Sequence, residues 1–453
     1  MTSMFELGGC DGLNAGAPLV LRNATVAPGF LSDEARADAP TRFGLRAVDI
    51  VVRDGVIAQV FPSNPITSCS SPVGATVVDM DHGQVWPGFV ELHTHLDKGH
   101  TAERAKNPDG TILGAVAAVR EDRMARWNAE DVAARFEFSL RCAHAHGTVA
   151  MRTHLDCYDG QAAISLPVFE RLRQQWAGKV MLQAVGMTMI GDYLGDAGRV
   201  LADQVAASGA VMGGVTRLPG GPQQQVPELL AQALDRLFEL ARDRGLDVDL
   251  HVDETQDLAP DTLALVASAV LRHDFQGLVT CGHCCSLALR EDDEAARTID
   301  LVAKAGITIV SLPMVNLHLQ GRRPGGTPRW RGVTRVRELA DAGVPVAMAS
   351  DNCRDPMFTF GDFDALEVFR EGVRIAHLDQ DVLRWPSLVT RTPADAMRLP
   401  LQGRIAQGLP ADLVLFRGRS MGELLARPQH DRVVLRAGLP IDTTLPDPRL
   451  LTT

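Results

Sequence analysis

The stretch PGFVELHTHLDKGH, residues 87–100, ends an apolar run in two histidines one residue apart. Successive side chains of a β-strand alternate between its faces. In a strand, His93 and His95 therefore point one way while Leu92 and Thr94 point the other. Two imidazoles side by side at the end of a buried strand are suited to bind a metal ion together. Such pairs also arise by chance in solvated loops, so the other polar residues have to be weighed with this one.

Those residues fall at the ends of further apolar runs. HVDET offers His251 as a third imidazole, with Glu254 three residues on. A carboxyl group there can carry a proton between water and substrate, unless it merely faces solvent. MASDN places Asp351 after an apolar run. Its carboxylate completes a set of three histidines and one acid, with a water as the last ligand; the alternative is a helix N-cap. His283 is left to hold or deprotonate that water, or else is a buried histidine satisfied by backbone. His154 in TVAMRTHLD reads equally well as structural or functional, and Gln183 lies in the run KVMLQAVGM. His82, His100, His144, His146, His273, His318, His377 and His430 are expected to be mostly solvated. The chain has four lysines, and none lies on the middle runs where a carboxylated lysine would bridge two metals. One divalent ion is favoured, zinc or ferrous iron. Lys98 is expected to meet an acid within its own loop.

The elements that position these residues follow from the texture of the chain. After Pro87, eight strand-like runs alternate with amphipathic stretches: GFVELHTHLD, TVAMRTHLD, KVMLQAVGM, AVMGGVT, LDVDLHVDE, LVTCGHC, ITIVSLP and PVAMASDN. EAARTIDLVAKAG and VTRVRELADAG each close on a glycine before the next strand, as a helix end does. Eight strand–helix units predict a (β/α)₈ barrel, whose chemistry sits where strands end. A doubly wound open sheet is the alternative, but no G-x-G-x-x-G turn follows the first strand. Short β-like runs precede residue 87 and return after about residue 400, so the two ends are expected to pair as a small β-sandwich. The expected division is 1–86 and 401–453 for the two parts of that sandwich and 87–400 for the barrel.

Bulk properties narrow the partners. Across 453 residues the net charge is −11, which disfavours nucleic acid or an anionic membrane. No run is apolar enough to span a bilayer, and MTSMFELGGCDGLNAG has neither the basic start nor the apolar core of a signal peptide. A cytoplasmic enzyme is expected, its eight scattered cysteines reduced, with a homo-oligomer left open. The Cys-x-x-Cys in CGHCC has no second pair at finger-like spacing, which weakens a structural zinc site.

With His93, His95, His251, Glu254, His283 and Asp351 in this order, the chain resembles the amidohydrolase superfamily, and within it the cytosine deaminase branch. The resemblance covers nearly the whole chain and rests on HTHLD, RTHLD, HVDE, GHC and SDN. It implies one metal ion on His93, His95, His251 and Asp351, Glu254 as proton shuttle, and His283 beside the nucleophilic water. It implies that Gln183 hydrogen-bonds the substrate ring; in a functional role, His154 would bind the substrate too. Where cytosine deaminases carry a second aspartate and a tryptophan, this chain has Asn352 and Met357. SDN-x-RD is instead similar to the N-isopropylammelide amidohydrolases, which act on s-triazines. The expected reaction is hydrolytic deamination of a small aminated N-heterocycle, a cytosine-like pyrimidine, a purine or a triazine, with cytosine itself a poor substrate at best. Release of an alkylamine or opening of a cyclic amide is the alternative, and a non-catalytic binding or assembly protein the minor one. The H-x-E and P-C-x-x-C pair of the zinc cytidine deaminases is absent.

Overall fold

The computed structural model describes residues 2–3, 17–31, 41–63, 72–218, 224–323 and 325–451. Most of the opening stretch inspected for a leader lies outside these residues, as do Cys10 and Cys69. Two compact units form: residues 1–90, 141–150 and 364–447 in one, and 91–140, 151–363 and 448–453 in the other.

All eight predicted strands are present, as β1 (Phe89–Thr94), β2 (Thr148–Asp156), β3 (Met181–Met189), β4 (Val211–Val215), β5 (Val248–Val252), β6 (Val279–His283), β7 (Thr308–Ser311) and β8 (Val346–Met348). They lie side by side in chain order, and the pairings from β3 to β8 are parallel. The sheet closes just beyond β8: Thr94 and Asp351 form a parallel bridge, and the Asp351 N–H donates to the His93 carbonyl at 2.9 Å. The buried Glu91 carboxylate accepts from the Ser350 N–H at 3.0 Å across the same seam. This is the (β/α)₈ barrel. Between strands run helices such as Pro227–Arg244, which buries Leu230, Leu234, Leu237 and Ala241 at helical spacing. The glycines expected to end two helices, Gly306 and Gly343, are left-handed at φ 64° and 82°.

The chain-end strands form a second, mixed sheet of ten strands among the described residues. Gln84–Pro87 pairs antiparallel with Leu413–Phe416, which joins the two ends of the chain as expected. A bulge between Leu21 and Ala24 divides Leu19–Val26: residues 19–22 pair with 76–79, whereas Thr25 pairs with Gln84. That extra twist lets one continuous sheet wrap a core. Trp86 anchors this core, its ring 4.9 Å from Phe30 and 5.5 Å from Phe369.

Candidate metal and catalytic centre

His93 lies on β1 and His95 one residue past its end; their Nε2 atoms each lie 3.2 Å from Nε2 of His251 on β5. Asp351 Oδ1 is 3.2 Å from His95 Nε2 and 3.6 Å from His93 Nε2. Donors set tetrahedrally on arms of about 2.0–2.1 Å stand roughly 3.3–3.4 Å apart, so this spacing suits one small divalent ion. All four side chains are buried, and neither Asp351 carboxylate oxygen has a hydrogen-bond donor among the described residues. Burial and neighbouring imidazoles hold His93 and His251 well below the usual histidine range, and burial with the Lys98 charge does the same to His95. Neutral imidazoles present the lone pairs that a metal needs. The donor set therefore fits the expected ion.

The local backbone is built for this convergence. Gly282 on β6 faces His93, and a Cβ there would lie 2.8 Å from His93 Cε1. Asp253, His283, Cys284 and Asp351, at the ends of β5, β6 and β8, adopt positive φ of 49°, 68°, 49° and 63° without being glycine. Such strain concentrates at functional sites.

Glu254 and His283 flank the group. Glu254 Oε1 is 3.5 Å from His283 Nδ1, and the rings of His251 and His283 are 4.9 Å apart. Burial and the Asp351 carboxylate push Glu254 well above the ordinary carboxylic range, while burial brings His283 down to about 4.

Other expected residues sit elsewhere. Gln183 is only the third residue of β3, and its Oε1 accepts two hydrogen bonds from Arg152, at 3.0 and 3.1 Å. Arg152 is tied to Asp249 at 2.8 Å, so half-buried Gln183 joins a polar layer with these two buried charges, outside the group of metal ligands. His154 is wholly buried, stacked 3.9 Å from the His93 ring with Nε2 3.2 Å from Asp249. It backs a ligand. Lys98 meets Asp156 at 2.9 Å, at the end of β2 and not in its own loop. His100 is buried against Phe138 rather than solvated. Asn352 is buried and donates to Asp355 at 2.6 Å, and Asp355 also accepts from the Met357 and Phe358 N–H groups. Met357 packs on an apolar cluster with Ile112, Met314, Val315, Leu319 and Phe358. Sequence reasoning missed Asp249, Asp355, Gly282 and Asn316; the glycine immediately before His283 was the readable signal among them.

An eight-stranded barrel with three neutral imidazoles and a carboxylate around one point, and an acid and a histidine beside them, defines a divalent-metal hydrolase. Comparison with known proteins narrows this class. Residues 137–441 match the model of an Amidohydrolase family. The chain is 51% identical over 442 residues to a pterin deaminase of Rhizobium rhizogenes (strain K84 / ATCC BAA-868), covering 96% of this chain and 97% of that protein. An N-isopropylammelide isopropyl amidohydrolase of Pseudomonas sp. (strain ADP) is 23% identical, over 76% of this chain and 82% of that one. The structure of 5-methylcytosine deaminase from Klebsiella pneumoniae, liganded with 5-fluorocytosine, superposes with a TM-score of 0.78 at 26% identity, covering 93% and 97% of the two chains. The chain belongs to the amidohydrolase family. It is a metal-dependent hydrolytic deaminase that cleaves a carbon–nitrogen bond in a heterocyclic amidine.

Proposed function

We propose that the substrate is a pterin-class heterocycle, bicyclic, with an exocyclic amine on a carbon flanked by two ring nitrogens. The observation that carries this reading is the 51% identity, over 96% of the chain, to a pterin deaminase. Asn352 and Met357, expected against the substrate, instead bond Asp355 and pack on an apolar cluster, so the likeness to the pterin deaminase carries the reading without them.

Zinc or ferrous iron held by His93, His95, His251 and Asp351 would supply a water whose pKa falls from 15.7 towards about 7. Asp351 accepts a proton as the water oxygen bonds to the amidine carbon. Glu254, whose carboxyl burial pushes up, delivers a proton to the adjacent ring nitrogen, takes the remaining proton of the attacking oxygen as the carbonyl forms and passes it to the exocyclic amine, and the proton on Asp351 then returns to Glu254. His283 faces the attacking oxygen. The bond to the amine breaks, ammonia leaves, and a carbonyl remains, so one water is consumed per ammonia released. Gln183 and His154 act as supports of the barrel interior rather than substrate contacts. The six described cysteines, free thiols, support a reducing cytoplasmic setting, and no described helix is long and apolar enough to cross a membrane. A homo-oligomer is compatible with this reading.

The test is an ammonia and alkylamine assay with zinc- and iron-loaded protein against pterin, guanine, cytosine and N-isopropylammelide. Pterin is expected to be converted with the highest kcat/KM, at least about tenfold above cytosine, some 1.4 kcal/mol of discrimination. Faster release of isopropylamine, or cytosine turnover above roughly 10⁵ M⁻¹s⁻¹ that exceeds pterin, would overturn the assignment.

A further inference from the structure

Asn316 lies in the short helix Pro313–Leu319 that follows β7, wholly buried, with its side-chain Nδ2 3.0 Å from Nδ1 of His283. We infer that Asn316 is a positioning residue which fixes the tautomer of His283, keeping the imidazole proton on Nε2.

The argument rests on donors and acceptors. An amide nitrogen only donates, so an Nδ1 that receives its hydrogen bond must carry a lone pair. A neutral imidazole then has its one proton on Nε2. His283 Nε2 is buried and has no hydrogen-bond partner among the described residues. The imidazole packs with the rings of His93 and His251, at 5.4 and 4.9 Å. His283 thus offers an N–H donor to the reacting centre. It can hold an oxygen and stabilise negative charge growing there, but it cannot take the proton of the attacking water. That task passes to Asp351.

Two groups compete for Nδ1. Glu254 Oε1 stands at 3.5 Å, well beyond the 2.7–2.9 Å of a charge-assisted hydrogen bond, whereas the Asn316 amide sits at an ordinary hydrogen-bond length. Turning the Asn316 amide end for end would set its oxygen on Nδ1 and reverse the tautomer. That orientation leaves both hydrogens of a buried amide nitrogen unpartnered. The present one leaves one hydrogen and the Oδ1 acceptor so, and an unmet acceptor is tolerated better than a second unmet donor.

Asn316→Asp and Asn316→Leu test the inference, since both keep the side chain's size. A carboxylate accepts, and would pull the proton to Nδ1; leucine does neither. Both variants are expected to bind zinc at the wild-type stoichiometry, to keep KM within about threefold and to lose roughly 10–100-fold in kcat, the usual range for a residue that orients a site histidine. Full activity in Asn316→Asp beside loss in Asn316→Leu would show that Nδ1 donates and would overturn the inference, as would full activity in both. The kinetic arm rests on the deaminase reading. A second measurement does not, and needs no Asn316 variant to fold. In zinc-loaded wild-type protein labelled with ¹⁵N-histidine, the His283 signals, assigned by their loss in His283→Asn, should show protonated Nε2 and unprotonated Nδ1. The reverse pattern would overturn the inference whatever the substrate proves to be.

Discussion

Glu254 keeps a quarter of its side chain exposed while His283 beside it is buried, as a group that exchanges protons with substrate needs. Glu254→Gln preserves shape and polarity but cannot carry a proton. The expected outcome is a loss of about 10²–10⁴ in kcat with metal still bound, checked by steady-state kinetics beside metal analysis. A change below about threefold would remove Glu254 from the proton path. His93 and His95 were legible because a strand puts alternate residues on one face, and Glu254 because it follows a candidate ligand by three positions. The bond of Gln183 to Arg152 was not legible, for a physical reason. A residue's type within a strand says nothing of its height along the barrel axis, and Gln183 lies six residues before the end of β3. Asn316 was invisible because its role exists only through a contact 33 residues away in the chain.

At the level of elements, the eight strands were legible as apolar runs, while the seam that closes the barrel was not. That seam uses Asp351 twice: its backbone bonds to His93, and its side chain joins the ligand group. The ligand geometry is therefore tied to barrel closure, and strand ends must hold positions that side chains elsewhere would crowd. Gly282 is the sharpest case. Gly282→Ala adds a Cβ within 2.8 Å of His93 Cε1, closer than the two atoms can stand, with the ring held by the other imidazoles. The barrel should still fold, because position 282 has ordinary strand geometry. His93 should be pushed off the common point, and zinc affinity should fall by about 10–100-fold, the range seen when a ligand loses its orientation. Chelator competition monitored by metal release measures this. Unchanged affinity would mean that the backbone of β6 yields without moving His93.

Over the whole molecule, the β–barrel–β order of the chain could be read from texture, because strands rich in turns differ from strands alternating with helices. The return of residues 364–447 to the N-terminal unit could not, since a helix such as Ala365–Ile375 reads as one more barrel helix. Beside the strand pairing, an ionic contact fastens this return. Asp364 caps that helix through the Leu366 N–H at 3.0 Å and binds Arg432 through both oxygens, at 2.6 and 2.7 Å. Arg432 in turn donates to the His146 carbonyl at 3.2 Å. Burial alone would raise the Asp364 carboxyl, but the Arg432 charge and its hydrogen bonds prevail and hold it at about 2. An unfolded aspartate titrates near 3.9, so the pair contributes about 2 kcal/mol of stability. A depressed folded pKa sets the sign: the contribution is complete above about pH 4 and is lost as pH falls towards 2. Asp364→Asn removes the titration and leaves Arg432 buried without its counter-charge, which should destabilise by about 3–5 kcal/mol at neutral pH. Urea unfolding of both proteins, each stripped of metal, should give a gap that is constant from about pH 7 to 5 and narrows below about pH 4, as the wild type loses what the variant never had. A gap that stays the same down to about pH 3 would show that Asp364 is not depressed, and that a neutral hydrogen bond holds the returning segment as well as the ion pair does.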